Sequence, residues 1–355
     1  MKILQIPETC SWNTYIELAE QHLAADGNVL LRPGLCMDGA WKPPTHPPTV
    51  KPTPDIVHVH WPEMLAAWYG FDGAVGVLRD LRRGGAQLVQ TVHDLLPHEM
   101  TPGAREYFHE VDSMTSGVHF FSEEHERKAR AVRPHLPTLS TRFLHPAFAA
   151  DEGMDRSSPP KSEGEVTLGC FGRIRPYKRY AEFGRAFGET AVDGYRLLIA
   201  GAPLNDGIHQ ELLELARTRP HITYEPGFHD GPRFNSLIEG VDWVALPYRE
   251  VFSSGILVNA LQAGKPVVAP KPIGADAYDL WPGLLTVNPW NDDVAVRRWM
   301  DEAHDPKWRN SDVILPSWEV AARRLTALYR DTLNLAHSVS GGDRSVGSRS
   351  RSLRT

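Results

Sequence analysis

Short apolar runs alternate with amphipathic helical stretches along nearly the whole chain, and few folds are open to such a sequence. Strands separated by helices do not pair as hairpins; they lie parallel, with each helix crossing back over a sheet face. In the first half, strands are predicted at Lys2 to Ile6, Asn28 to Arg32, Asp55 to His60, Gln87 to Val92, Gly117 to Phe121 and Leu139 to Leu144. Helical patterns fall at Asn13 to Ala25, Ala74 to Arg83, Ala104 to Met114 and Glu123 to Val132. The alternation stops in the polar stretch Ala149 to Glu165, which holds Pro159 and Pro160, and this is read as a linker.

It then restarts. Strands are predicted at Val166 to Phe171, Tyr195 to Ala200, His221 to Glu225, Trp243 to Pro247, Pro266 to Ala269 and Leu284 to Val287, with helices at Asn205 to Thr218, Pro232 to Glu239, Ser253 to Ala263 and Trp318 to Leu335. The chain of 355 residues also exceeds the roughly 250–300 over which one core keeps growing. The expectation is therefore an α/β protein of two Rossmann-like domains, 1–148 and 166–336, joined by linker 149–165. The Ser-, Gly- and Arg-rich end, 337–355, is expected to be disordered. The proline-heavy stretch Asn28 to Pro54 reads as a long surface connection.

Charge and composition narrow the function. A formal charge of −6 argues against a nucleic-acid partner. No apolar run approaches the roughly eighteen residues of a membrane span, and the apolar stretch at the amino terminus is too short for a secretory signal, so a cytoplasmic protein is expected. Cys10, Cys36 and Cys170 lack metal-like spacing and are read as reduced thiols.

The stretch LGCFGRIRPYKRY, Leu168 to Tyr180, runs a buried strand into Gly172 and then delivers several cations. Glycine lets a ligand approach the backbone, and Arg173 and Lys178 are spaced to bracket a diphosphate, one as a bidentate fork and the other as a compact charge. The same residues would also serve as an exposed basic loop. A second stretch, LPYREVFSSGILVNALQAGKPVVAP, places Ser253, Ser254 and Gly255 at a helix amino terminus, where unpaired N–H groups and the helix dipole attract an anion. Serine and glycine there are also ordinary caps. Both stretches follow strands of one domain, at the edge where open α/β sheets bind ligands.

These two stretches resemble the retaining glycosyltransferases of the large family four, whose second domain carries a G-R-x4-K strand-loop and an E-x7-E helix motif before a G-x-P-V-V strand. The resemblance implies the GT-B fold, two Rossmann-like domains facing each other across a cleft. It also implies transfer of a sugar from a nucleotide-diphosphate donor, a UDP- or GDP-sugar, to a hydroxyl acceptor such as a glycan, glycolipid or small metabolite. It gives the diphosphate to Arg173 and Lys178, with Gly172, Phe228, Ser253, Ser254 and Gly255 on the donor side. The ribose-gripping glutamate of the motif falls on Asn259; the glutamate facing the donor sugar falls on Glu250 if one residue slips, and on Val251 if none does.

In the first domain, DIVHVHWPE puts His58 and His60 on one strand face, a pattern suited either to metal or to buried hydrogen-bonded histidines. His60, Trp61 and Glu63 at the strand end, Asn13 and Tyr15 at the start of the first helix, and Asp94 after the next strand are expected on the acceptor side. His93 stands where the family has a histidine that contacts the donor sugar. Helix Ala74 to Arg83 combines apolar residues with Arg79, Arg82 and Arg83, which would allow weak peripheral contact with the inner face of a membrane.

Arg173, Lys178 and the helix terminus can neutralise a departing diphosphate unaided, so no metal or other cofactor is expected. The resemblance implies retention of configuration, with Glu63 or Asp94 as base if the outcome is inversion. A nucleotide-sugar epimerase and a catalytically degenerate nucleotide-sugar-binding homologue are the alternatives.

Overall fold

The computed structural model of the protein describes residues 1–8, 14–32, 50–96, 101–148, 164–190, 193–229, 231–249, 254–271, 283–308 and 315–342. The chain divides into two compact units, one formed by Met1–Phe143 with the residues from Ser317 on, the other by Leu144–Pro316. Apart from Gly164 and Glu165, the expected linker lies outside the described residues, as do Cys10, Cys36 and positions 33–49 of the proline-heavy stretch. Cys170 is a buried free thiol.

The first unit holds six strands, β1 (Lys2–Ile6), β2 (Val29–Leu31), β3 (Ile56–Val59), β4 (Gln87–Thr91), β5 (Thr115–Phe120) and β6 (Ser140–Arg142). They form one sheet in the order β2-β1-β3-β4-β5-β6, every pair parallel. Helices α1 (Thr14–Ala25), α2 (Pro62–Arg83), α3 (Ala104–Met114) and α4 (Glu123–Val132) connect them. The strand order reverses between β1 and β3, which opens a crevice at the carboxyl ends of those two strands.

Helix α2 is much longer than its apolar period suggests. Pro62 occupies the first turn, where its missing N–H costs nothing, and Gly70 breaks the helical geometry with φ 70° and ψ 171° without ending the element. Its apolar side, including Leu65, Trp68, Val75 and Leu78, is buried in the unit. The apolar residues of the arginine-bearing stretch, Val75, Val77 and Leu78, are buried, while exposed Arg79 bonds Glu110 at 2.6 Å and Arg83 bonds Asp80 at 3.0 Å.

The second unit repeats the plan with β7 (Val166–Phe171), β8 (Tyr195–Gly201), β9 (Ile222–Pro226), β10 (Trp243–Ala245), β11 (Val267–Pro270) and β12 (Leu284–Val287). The order is β12-β11-β10-β7-β8-β9, again all parallel, and the reversal falls between β7 and β10. Its helices are α5 (Tyr180–Thr190), α6 (Asp206–Thr218), α7 (Gly231–Glu239), α8 (Gly255–Gln262) and α9 (Asp292–Glu302). Its single large core includes the fully buried side chains of Phe171, Phe183, Phe187, Trp243 and Trp299.

The terminal helix α10 (Trp318–Gly342) packs on the first unit, whereas the sequence pattern groups it with the second half. Ala321, Ala322, Leu325, Leu328 and Tyr329 form its buried stripe. Asn28 Nδ2 donates to Thr326 Oγ1 at 3.1 Å, Tyr329 meets His58 at 2.7 Å, and Gly117 leaves room for Thr332, whose Oγ1 would lie 2.6 Å from an added Cβ. The helix also continues to Gly342, past the point at which the polar tail was expected to start.

Candidate active site

The crevice of the second unit lies where the loops after β7 and β10 part. Gly172 follows β7 with φ 91°, and a Cβ there would stand 2.9 Å from Ile256 Cδ1 and 3.5 Å from Lys178 Nζ, so both conformation and space require glycine. Gly201, at the end of β8, lies so close that a Cβ on it would meet the Gly172 oxygen at 1.7 Å. Two adjacent strand ends thus approach without side chains between them.

Lys178 closes a short 3-10 turn, Pro176–Lys178, and is 7% exposed. Its Nζ lies 5.2 Å from the ring centre of Tyr248 and 5.7 Å from that of Tyr180. Tyr180 donates to the Phe171 oxygen at 2.6 Å and meets the Tyr248 hydroxyl at 3.2 Å, so the aromatic walls are themselves pinned to the strand end. Burial pushes the Lys178 ammonium down from its ordinary 10.5 to about 7; Arg175 and Arg173 push the same way, and the Cys170 thiol acts against them. Arg173 is half-buried in the same loop.

Ser254 caps α8, accepting from Leu257 N at 3.3 Å, and so fixes the first turn at Gly255 and Ile256, whose N–H groups have no intrahelical acceptor. Asn259, one turn on, donates Nδ2–H to the Gly255 oxygen at 3.0 Å. That bond orients the amide and leaves Oδ1 as its acceptor atom, the same capacity a carboxylate offers a hydroxyl. Phe228 follows β9, two strands from β7, and is 62% exposed. Glu250 and Ser253 lie outside the described residues.

In the first unit, the crevice at the ends of β1 and β3 is lined by imidazole, amide and aromatic side chains. His60 and His93 face each other, Nδ1 to Nε2, at 3.2 Å, and His60 Nε2 meets Gln5 Oε1 at 2.6 Å. Trp61 stacks on His93 with ring centres 4.2 Å apart and planes at 20°. Tyr15 stands edge-on to both histidines, at 5.6 and 5.1 Å. His58 is held by Tyr329 at 2.7 Å and Thr91 at 2.8 Å, and Thr91 meets His119 at 3.2 Å. Burial holds the His58 and His60 imidazoles well below the ordinary histidine range, helped by the neighbouring histidines. Each nitrogen of the H-x-H pair is thus engaged with protein; among the described residues no group of three or more His, Cys, Asp or Glu side chains is arranged to hold a metal.

Tyr15, His60, Trp61 and His93 therefore come together; the charge of Glu63 acts on Tyr107 and that of Asp94 on His125. Asn13 lies outside the described residues. Gln5, Tyr180 and Tyr248 belong to these crevices and are absent from the motif-based reading. The available signal for Gln5 was a polar side chain within the apolar strand KILQI.

No family model matches the chain. Two parallel six-stranded units with their crevices at strand-order reversals nevertheless define a class, and known proteins agree with it. The chain is a glycosyltransferase of the GT-B fold. Two curated relatives from Xanthomonas campestris pv. campestris, both GDP-mannose:glycolipid 4-beta-D-mannosyltransferases, are each 25% identical to it over 257 and 253 residues, 68% of this chain and 69% of theirs. Among solved structures, Anabaena HepE in complex with UDP and glucose matches with TM-score 0.59 and 16% identity, over 96% of this chain and 100% of that one. Sucrose-phosphate synthase of Thermosynechococcus elongatus matches with TM-score 0.63 and 13% identity, over 98% and 100%.

Proposed function

We propose that the protein moves a hexose from a nucleotide-diphosphate donor to a hydroxyl acceptor, with the diphosphate held by Arg173, Lys178 and the amino terminus of α8. The observation that carries this reading is Lys178: a buried amine against whose protonation both Arg175 and Arg173 push. A buried cation so placed is costly until an anion joins it, and the leaving diphosphate is that anion. The N–H groups at the start of α8 add to the same field. The Oδ1 of Asn259 is suited to accept from a ribose hydroxyl, which favours a competent donor site over a degenerate one.

The curated relatives are named for GDP-mannose and a glycolipid acceptor, so GDP-mannose is the first donor to try and a glycolipid the first acceptor. UDP-glucose, carried by the HepE structure, is the second donor. A glycolipid acceptor would bring the protein to the cytoplasmic face of a membrane without any spanning helix, and none of the described helices is long and apolar enough to span one. Retention follows from the family-four resemblance. Inversion is favoured by the relatives' beta linkage, because a beta product from an alpha-linked donor requires it. The coupling constant at the new anomeric carbon, measured on product made from an alpha-linked donor, distinguishes the two. Charge neutralisation by protein groups predicts unchanged activity in a chelator.

The test is a thermal-shift screen of UDP- and GDP-sugars followed by a transfer assay, since a ligand of the native state alone raises the melting temperature. A free epimer formed without acceptor would replace this reading with an epimerase. Donor binding without turnover toward any acceptor would replace it with a binding protein.

A further inference from the structure

Among the described residues, Arg179 is the one non-glycine residue with a positive φ; it takes φ 56° and ψ 32°, the left-handed region that side chains disfavour. It stands between the turn that ends at Lys178 and helix α5, which begins at Tyr180. Both elements use its backbone: its N–H donates to the Pro176 oxygen at 3.2 Å, and its own oxygen accepts from Phe183 N at 2.9 Å. On a continuous helix, residues two apart point roughly 200° away from each other. The left-handed residue breaks that rotation, so Lys178 and Tyr180 share the crevice side, with Nζ 5.7 Å from the Tyr180 ring centre.

The Arg179 side chain reaches α9. Its guanidinium bonds one carboxylate oxygen of Asp292, the first residue of that helix, and the other oxygen accepts from Trp290 Nε1 at 2.8 Å. The ion pair is sheltered, its side chains 26% and 14% exposed, so salt screens it less than a surface pair. Trp290 is seated in turn against α5, its ring centre 6.1 Å from that of Phe183. On the crevice side the turn is tied by Arg249 N, which donates to the Tyr177 oxygen at 3.0 Å. That bond holds the turn before Lys178, whereas the ion pair acts on the residue after it.

We propose that Asp292, fixed by Trp290, is a positioning residue of the anion site: through its ion pair with Arg179 it holds the left-handed backbone that keeps Lys178 at the end of β7. The proposal rests on the diphosphate site proposed above and names the device that sets its geometry. Without the pair, residue 179 relaxes toward a right-handed φ, and Lys178 rotates away from Tyr180 and Gly172. Charge by itself argues the other way. Asp292 is an anion close to cations that await an anion, so its removal would tighten binding of a diphosphate if nothing moved. Bracing and bare charge thus predict opposite signs for one substitution. They also differ at residue 179, where alanine and glycine remove the same cation but glycine takes the left-handed region without strain.

Calorimetric titration of UDP and GDP into full-length protein reads the sign. Asp292→Ala should weaken the better-bound nucleotide by roughly fivefold or more, the population cost of a left-handed residue that bears a side chain. Adding Arg179→Gly to Asp292→Ala should restore affinity to within about threefold of native, while adding Arg179→Ala, which has the same charge, should not. Unchanged or tighter binding by Asp292→Ala, or equal affinities for the two double variants, overturns the proposal. The same contrast is read without ligand by amide hydrogen exchange over residues 176–183, followed by mass spectrometry. Exchange should quicken in Asp292→Ala and slow again when Arg179→Gly is added; unchanged exchange in Asp292→Ala also overturns the brace. If Asp292→Ala does not fold, Asp292→Asn takes its place, keeping an acceptor for Trp290 while losing the ion pair. A native protein that binds neither nucleotide counts against the proposed diphosphate site, and the exchange result still decides whether Asp292 holds the turn.

Discussion

The two units share a fold plan, yet their crevices are built on opposite electrostatic principles. In the second unit a buried lysine sits between tyrosines with arginines as its charged neighbours, its ammonium pushed down to about 7. In the first, His58 and His60 are buried neutral, and each ring nitrogen of the two has a protein partner. One crevice stores an unmet need for an anion; in the other, the two buried imidazoles already have protein partners on every ring nitrogen. Binding of a leaving diphosphate calls for the first kind of site, and handling of hydroxyl groups calls for the second.

The largest effect that could break this contrast is loss of the cations. Arg173→Ala and Lys178→Ala should each weaken nucleoside-diphosphate binding by about 1.5–3 kcal/mol, the worth of charged hydrogen bonds, and nucleoside binding far less. Isothermal titration with both ligands checks this, and equal losses for the two would remove the diphosphate from the site. Lys178→Met sharpens it, because the free protein should not lose stability. A lysine whose folded pKa is depressed from 10.5 to about 7 costs stability once charged; the cost is absent above the higher value, grows as pH falls, and is complete below the lower one. The melting temperature of Lys178→Met should therefore match or exceed that of the native protein, most clearly on the acid side of pH 7.

The first unit should behave in the opposite way. Tyr329→Phe removes the hydroxyl 2.7 Å from His58 Nδ1 and leaves a buried ring nitrogen without that partner, which should cost about 1–2 kcal/mol in urea denaturation. Asn259→Leu is the smallest expected effect. It deletes the Oδ1 acceptor and the bond to Gly255, and should weaken nucleotide binding by about 1 kcal/mol, a few-fold in Kd, while leaving binding of inorganic diphosphate unchanged.

Much of this architecture is written locally. Strand-helix alternation gives both sheets, and the run from Phe171 to Tyr180 gives the cations, because each depends on neighbours in sequence. Three elements escape that logic. In α5, YAEFGRAFGET, glycines that look like breakers are packing sites: a Cβ on Gly184 would meet Leu215 Cδ2 at 2.5 Å. In α2, Pro62 and Gly70 look like stops and are a first turn and an internal kink. Nothing in the period of α10 says which unit buries its apolar stripe; Tyr329 meeting His58 does. The crevices follow the same rule. Gln5 reaches His60 only because β1 pairs with β3, and Tyr248 reaches Lys178 only because β10 lies beside β7.

The central claim, that Lys178 awaits the donor's diphosphate, is tested most directly by counting protons. At pH 8 a lysine poised near 7 is mostly neutral, and an arriving diphosphate should charge it. Titration of a nucleoside diphosphate in two buffers of different ionisation enthalpy should therefore show uptake of nearly one proton by the native protein, and none by Lys178→Arg, since arginine is always charged. Binding of the diphosphate by the native protein at pH 8 with no proton uptake would contradict the account.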